Sequence, residues 1–161
     1  MTVLQGNTKI AFLCFFISHI PITLLIDGQA FFPRHYYPQI LQDVVDWYAV
    51  TFKDKLMTHP TNPWFSSLVA IEILFQLPFF FYAISAMLKR RDINKNLSII
   101  YGASTVTTLI PIFASICTDE DTTIGEKAVL LSFYLPYFIF PLWFIMIAAS
   151  DQSVLDIKKK K

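Results

Sequence analysis

Charge is scarce in this chain: Asp, Glu, Lys and Arg make up 16% of its 161 residues, and the formal net charge is +1. There is no basic stripe, and the four glycines form no phosphate-cradling loop, so nucleic acid is not among the expected partners. No cofactor and no metal is expected either. Cysteine is limited to Cys14 and Cys117. On the helices assigned below they lie about 25 Å apart in depth at 1.5 Å per residue. A disulfide needs Cα atoms within about 7 Å, so both are expected to be reduced packing residues.

Apolar residues, by contrast, are abundant: 55% of the chain is hydrophobic, 16% is aromatic, and the mean hydropathy is +0.51. Four apolar runs, 10–26, 64–88, 97–117 and 128–149, are each long enough to cross a hydrocarbon core of about 30 Å. The expected fold is an all-α membrane protein, a four-helix transmembrane bundle with kinked helices and short luminal amphipathic helices. It forms one transmembrane domain over 9–150, followed by a cytosolic tail, 151–161. Cytosolic termini put nine of the thirteen basic residues (Lys9, Lys89, Arg90, Arg91, Lys95 and Lys158 to Lys161) on one side, as the positive-inside rule requires. The first run has a thin basic flank and no small-residue cleavage site, so it reads as a retained helix. The tail ends Ile157-Lys158-Lys159-Lys160-Lys161. Lys158 and Lys159 form a dilysine pattern of the kind read as a retrieval address to the endoplasmic reticulum; a basic tail beside anionic lipid is the plainer alternative.

Within the second run, Glu72 is the lone charge between Trp64 and Leu88. An ionisable side chain at that depth costs several kcal/mol on roughly any scale and is tolerated mainly where it faces protein or a cavity. The first run repeats the theme with His19 and Asp27. His19, Thr23 and Asp27 are spaced i, i+4, i+8, one helical face; Glu72 and Gln76 share a face likewise. Counting depth along each helix, these residues, Thr107 and Thr108 of the third span, and Tyr134 and Tyr137 of the fourth all fall in the luminal half. Each span also carries proline: Pro21, Pro78, Pro111, and the pair Pro136 and Pro141. Proline bends a helix, and four bowed helices would enclose a pocket, although proline is also common in membrane helices generally.

The segment between the first two spans is too long for a tight turn. Around Ile40 to Tyr48 it has apolar residues at helical spacing, with Asp43 and Asp46 on another side. It is expected to lie at the luminal interface as a lid, with Trp47, Tyr48 and Phe52 as interfacial aromatics. Asp54, in Phe52-Lys53-Asp54, reads on sequence alone as a solvated acid beside lysines.

Several stretches together resemble the sigma-2 receptor family: Ser18-His19-Ile20-Pro21-Ile22-Thr23-Leu24, Asp27, Phe32-Pro33-Arg34, Trp47-Tyr48-Ala49, Phe52-Lys53-Asp54, Glu72-Ile73-Leu74-Phe75-Gln76-Leu77-Pro78, Thr107-Thr108-Leu109-Ile110-Pro111 and Tyr134-Leu135-Pro136-Tyr137. This family sits in the wider EXPERA-domain group with the emopamil-binding sterol isomerases, and the resemblance runs from about residue 9 to the tail. It implies a multi-pass endoplasmic-reticulum protein with a membrane pocket for sterol or amine-bearing lipophilic ligands, and it implies a homodimer. Asp27 resembles the carboxylate that pairs with a cationic amine, and Asp54 the acid that hydrogen-bonds to it. Glu72, Gln76, His19, Tyr48, Thr108, Tyr134 and Tyr137 match pocket-lining positions. The turn after Cys117 is shorter here than in the receptor.

Two carboxylates held close share about one negative charge, which a protonated amine on a greasy body would satisfy, with cation–π contacts adding roughly 0.5–2 kcal/mol. A sterol would set its hydroxyl there instead. An isomerase must shuttle a proton, and those enzymes resemble one another in a histidine and a glutamate on the second helix. This chain has Glu72 and Gln76, and an amide cannot carry the proton. Binding is therefore favoured over catalysis. A third reading is an interaction or quality-control factor, whose basic loop Lys89 to Lys95 and lysine tail meet cytosolic or membrane partners.

Overall fold

The computed structural model describes Leu4 and residues 6–150. The dilysine tail therefore lies outside the described residues. The described residues form six α-helices: α1 (Gly6–Leu25), α2 (Gln39–Thr51), α3 (Pro63–Ile71), α4 (Leu77–Leu88), α5 (Lys95–Thr118) and α6 (Ile124–Ser150). Among the described residues, four helical stretches are long and apolar enough to span a membrane: Gly6–Ala30, Pro63–Leu88, Lys95–Thr118 and Ile124–Ser150. Each runs slightly beyond the expected span, because polar flanks such as Asn62 and Asn94 cap it. The Asn62 and Asn94 side chains accept from the amides of Trp64 (3.3 Å) and Leu97 (3.1 Å), satisfying donors that a helix start leaves open.

The prolines act less uniformly than their spacing suggests. α1, α5 and α6 remain α-helical through Pro21, Pro111, Pro136 and Pro141. The second span departs from the α register, with a single π-helical turn over Glu72–Gln76 joining α3 to α4. There the Leu77 amide reaches back five residues to the Glu72 carbonyl. Pro78 follows immediately and has no amide hydrogen to donate, so the ladder above it is free to widen. Such turns cluster at functional sites.

α5 and α6 form the most extensive helix pair. A Cβ at Gly102 would lie 2.9 Å from the Pro141 carbonyl oxygen and 2.4 Å from Ile145 Cγ1, so this crossing requires glycine. Two buried clusters fill the bundle. One is aromatic, with Phe12, Phe16, Phe79, Phe80, Tyr101 and Phe144; Phe79 stacks on Tyr101 at 4.3 Å between ring centres, 10° from parallel. The other is mainly aliphatic and lies toward the long connection, with Val45, Met57, Phe65, Val69, Leu109 and Ile112.

That connection contains short 3-10 turns at Asp27–Ala30 and Arg34–Tyr36 before α2. Gln29 pins it by donating to the carbonyls of Leu25 (2.7 Å) and Leu41 (3.1 Å). Arg34 donates to Gln42 O (3.0 Å) and pairs with Asp46 (2.9 Å). Cys14 and Cys117 are free and unpaired as expected, yet both are exposed. They occupy outward helix faces rather than packing positions.

Candidate functional site: an acidic chamber between the two clusters

The residues flagged along the sequence converge on one cavity of about 350 Å³, within the 300–1,000 Å³ usual for small-molecule pockets. α1 supplies His19 and Ile22, and the 3-10 turn that follows it supplies Asp27. α2 roofs the cavity with Val44, Trp47 and Tyr48, the π turn contributes Glu72 and Gln76, and α5 and α6 close it with Thr105, Thr108, Tyr134 and Tyr137. Eight of the nine sequence-predicted ligand residues line this space; the ninth, Asp54, stands behind its wall. Among the described residues, neither lysine nor arginine does, so the two carboxylates face an apolar and aromatic chamber without a fixed cation.

The acids differ in what holds them. Glu72 accepts a hydrogen bond from Thr23 Oγ1, and the same oxygen lies 3.3 Å from His19 Nε2. His19 is buried among the rings of Phe15, Phe80 and Tyr137, and its Nδ1 has no hydrogen-bond partner among the described residues. Asp27 sits where α1 gives way to the 3-10 turn, and its carboxylate accepts no hydrogen bond from the described residues. The neighbouring Gly28 permits this placement, since a Cβ there would fall 2.5 Å from Tyr37 Oη and 3.1 Å from Thr23 O.

Asp54 is fully buried rather than solvated. The reason lies in the end of α2. Lys53 adopts a left-handed conformation (φ 55°), and the Asp54 amide returns to the Ala49 carbonyl at 2.9 Å. This is the helix-closing pattern in which glycine is usual, and it turns Asp54 inward. Its Oδ2 accepts from Tyr134 Oη at 2.7 Å and its Oδ1 from the Leu56 amide at 3.0 Å. The direct Asp54–Asp27 hydrogen bond implied by the family resemblance is not formed among the described residues; the Tyr134 phenol takes that place. Burial holds Asp54 above its ordinary value, opposed by the hydrogen bonds from Tyr134 and Leu56. Tyr48, also drawn up by burial and by Asp54, stays a neutral phenol. Asp54 also lines a smaller polar cavity shared with Lys55, Asp119 and Lys127, so it lies in the wall between the two spaces.

α5 corrects one expectation. Thr107 is exposed on the outer face, while Thr105, unremarked in the sequence, is buried and lines the chamber. Thr105 and Thr108 are three residues apart and share a face, which is the signal that would have found Thr105. Their hydroxyls donate back to the Tyr101 and Thr105 carbonyls at 3.0 and 2.9 Å, leaving acceptor lone pairs for the chamber.

Residues 40–148 match the family model described as EXPERA, the expanded EBP superfamily. The chain belongs to that family. It is 38% identical to Sigma intracellular receptor 2 of Homo sapiens over 160 residues, covering 91% of this chain and 90% of the relative. It is 40% identical to the Xenopus tropicalis protein of the same name over 159 residues, covering 93% and 92%. Efficient mitochondria targeting-associated protein 19 of Saccharomyces cerevisiae is 29% identical over 147 residues, covering 81% of this chain and 91% of that one. This EXPERA chain is thus a multi-span membrane protein grouped with proteins named as receptors.

Proposed function

We propose that this EXPERA protein resides in the endoplasmic-reticulum membrane with both termini cytosolic, and that it binds sterols or cationic amphiphiles in the chamber without transforming them. The observation that carries this reading is the pairing of Asp27 and Glu72 in an aromatic cavity with no lysine or arginine in its described lining. Buried charge without a partner is costly, and a protonated amine supplies the missing cation. Glu72 is already engaged by Thr23 and His19, so Asp27 is the group left to receive the ammonium. Tyr137 and Tyr48 offer ring faces to it, and a sterol would place its hydroxyl at the same end. Asp54 acts through Tyr134, fixing the phenol that faces the ligand. Gln76 argues against isomerase chemistry, since its amide cannot accept and return a proton at neutral pH.

The test is photo-crosslinking with a sterol probe, competed by a lipophilic amine, in wild type and in Asp27→Asn. Binding predicts competable labelling that Asp27→Asn weakens for the amine more than for the sterol. Labelling that no amine displaces, and that Asp27→Asn leaves intact, would sink the reading. Conversion of an unsaturated sterol by purified protein would overturn its non-enzymatic part.

A second reading, handling of other proteins at the reticulum surface, is favoured by one fact: the yeast relative is named for efficient mitochondria targeting. Proximity labelling from the cytosolic tail tests it, and enrichment of generic membrane neighbours alone would count against it.

A further inference from the structure

Three potential metal ligands meet at the polar end of the chamber. His19, Asp27 and Glu72 each offer one ligand atom, and the three atoms lie within 4.8 Å of one another. His19 Nε2 and Glu72 Oε1 are 3.3 Å apart. Two ligands of one tetrahedral zinc-like ion, at bond lengths of about 2.0–2.1 Å, are separated by roughly that distance. We propose that these residues form a binding site for a divalent transition-metal ion of the zinc class, its fourth position opening into the chamber. The site shares the chamber of the proposed function, but it stands on its own donor geometry and goes beyond that reading.

Charge, tautomer and orientation favour the assignment. Two carboxylates and a neutral imidazole balance a doubly charged ion, in a chamber where the described lining provides no other cation. His19 Nδ1 makes no hydrogen bond among the described residues, so it is free to take the ring proton when an ion beside Glu72 claims the Nε2 lone pair. Glu72 is oriented by the Thr23 hydroxyl, which is itself buried and donates to its carboxylate. A carboxylate that ligates a metal is commonly held by such an outer partner. An ion at Asp27 also excludes an ammonium there, which makes metal and amine mutually exclusive occupants.

The experiment uses full-length, tag-free protein in detergent micelles, stripped with chelator and titrated with Co²⁺. The expected result is a visible ligand-field band saturating at one ion per chain and displaced by Zn²⁺. His19→Ala and Glu72→Gln should each weaken Co²⁺ binding at least about 10–100-fold, the loss seen even when an outer partner is removed. His35→Ala and His59→Ala, whose rings lie outside the chamber, should leave it unchanged. Thermal melting and a monodisperse elution profile establish that each variant is folded, and Thr23→Val, which keeps every ligand, gives an intermediate loss. No band, or a band unchanged in folded His19→Ala or Glu72→Gln, overturns the proposal; the latter marks an adventitious ion only. Sterol-probe labelling in chelator is measured alongside. Labelling without Co²⁺ binding removes the metal site and leaves the proposed function standing, whereas Co²⁺ binding without labelling does the reverse.

Discussion

Tyr134→Phe removes one oxygen atom from the wall of the chamber and nothing else. The ring remains to pack against α2, but Asp54 Oδ2 loses the phenol that donates to it at 2.7 Å. Asp54 is fully buried, so water cannot readily replace the donor. A hydrogen bond to a charged acceptor contributes about 1.5–3 kcal/mol, against about 0.5–1.5 kcal/mol between neutral groups. The loss should therefore be about 2 kcal/mol while Asp54 is ionised. It should shrink to about 1 kcal/mol or less once Asp54 is protonated. For a chain of this size that is a fall of several degrees in Tm, at about 2–4 °C per kcal/mol. Because burial holds Asp54 above its ordinary value, the native protein keeps this proton at pH values where the unfolded chain has released it. The stability that Asp54 contributes is complete below about pH 4, the unfolded value, and is lost as pH rises through the native one. The assay is thermal unfolding in micelles between pH 4 and 8 for wild type, Tyr134→Phe, Asp54→Asn and the double variant. Wild-type stability should fall as pH rises through the native Asp54 value, Asp54→Asn should flatten that dependence, and the cycle should give a coupling near 1–2 kcal/mol. A Tyr134→Phe variant within about 0.5 kcal/mol of wild type at every pH, with zero coupling to Asp54, would refute the bond.

The remaining predictions test other links. Gly102→Val should destabilise the protein by about 1–3 kcal/mol through overpacking of α5 on Pro141 and Ile145; an unchanged melting profile would show that the crossing is looser than described. Deleting Leu74, which points outward at 74% exposure, should convert the π turn into regular α-helix and leave a folded, monodisperse protein. The same deletion at Phe81, within regular helix, should rotate one half of the span by about 100° and abolish folding; equal tolerance of both would count against the π turn. Lys55 joins the α2–α3 loop to the α5–α6 turn through Asp119 and Asp121. Lys55→Ala should raise protease nicking of residues 119–123, and high salt should do the same to wild type. The contact to Asp119, which Lys55 holds below its ordinary value, should weaken as pH falls through that native value.

Much of this architecture is written in one dimension. Run length and composition fix the four spans, because a bilayer admits only helices whose backbone is satisfied internally. Helical periodicity already puts His19, Thr23 and Asp27 on one face and Glu72 and Gln76 on another. Sparse charge in an apolar chain makes each carboxylate within a span conspicuous, so Asp27 and Glu72 stand out as a candidate site before any fold is known. Other features depend on contacts between distant segments. Asp54 lies between two lysines in a polar stretch, and only the left-handed Lys53 turns it away from solvent to a tyrosine 80 residues along the chain. Thr105 and Thr107 are equivalent as text, and the rotation of α5 against its neighbours sends one inward and the other outward. Four spans contain proline, yet the register breaks in one, because backbone satisfaction is settled by packing around each proline and not by the proline alone. Local pattern thus determined which residues are too polar for their surroundings. Tertiary packing decided which of them face each other, since a hydrogen bond is formed by three-dimensional distance, and separation along the chain does not encode it.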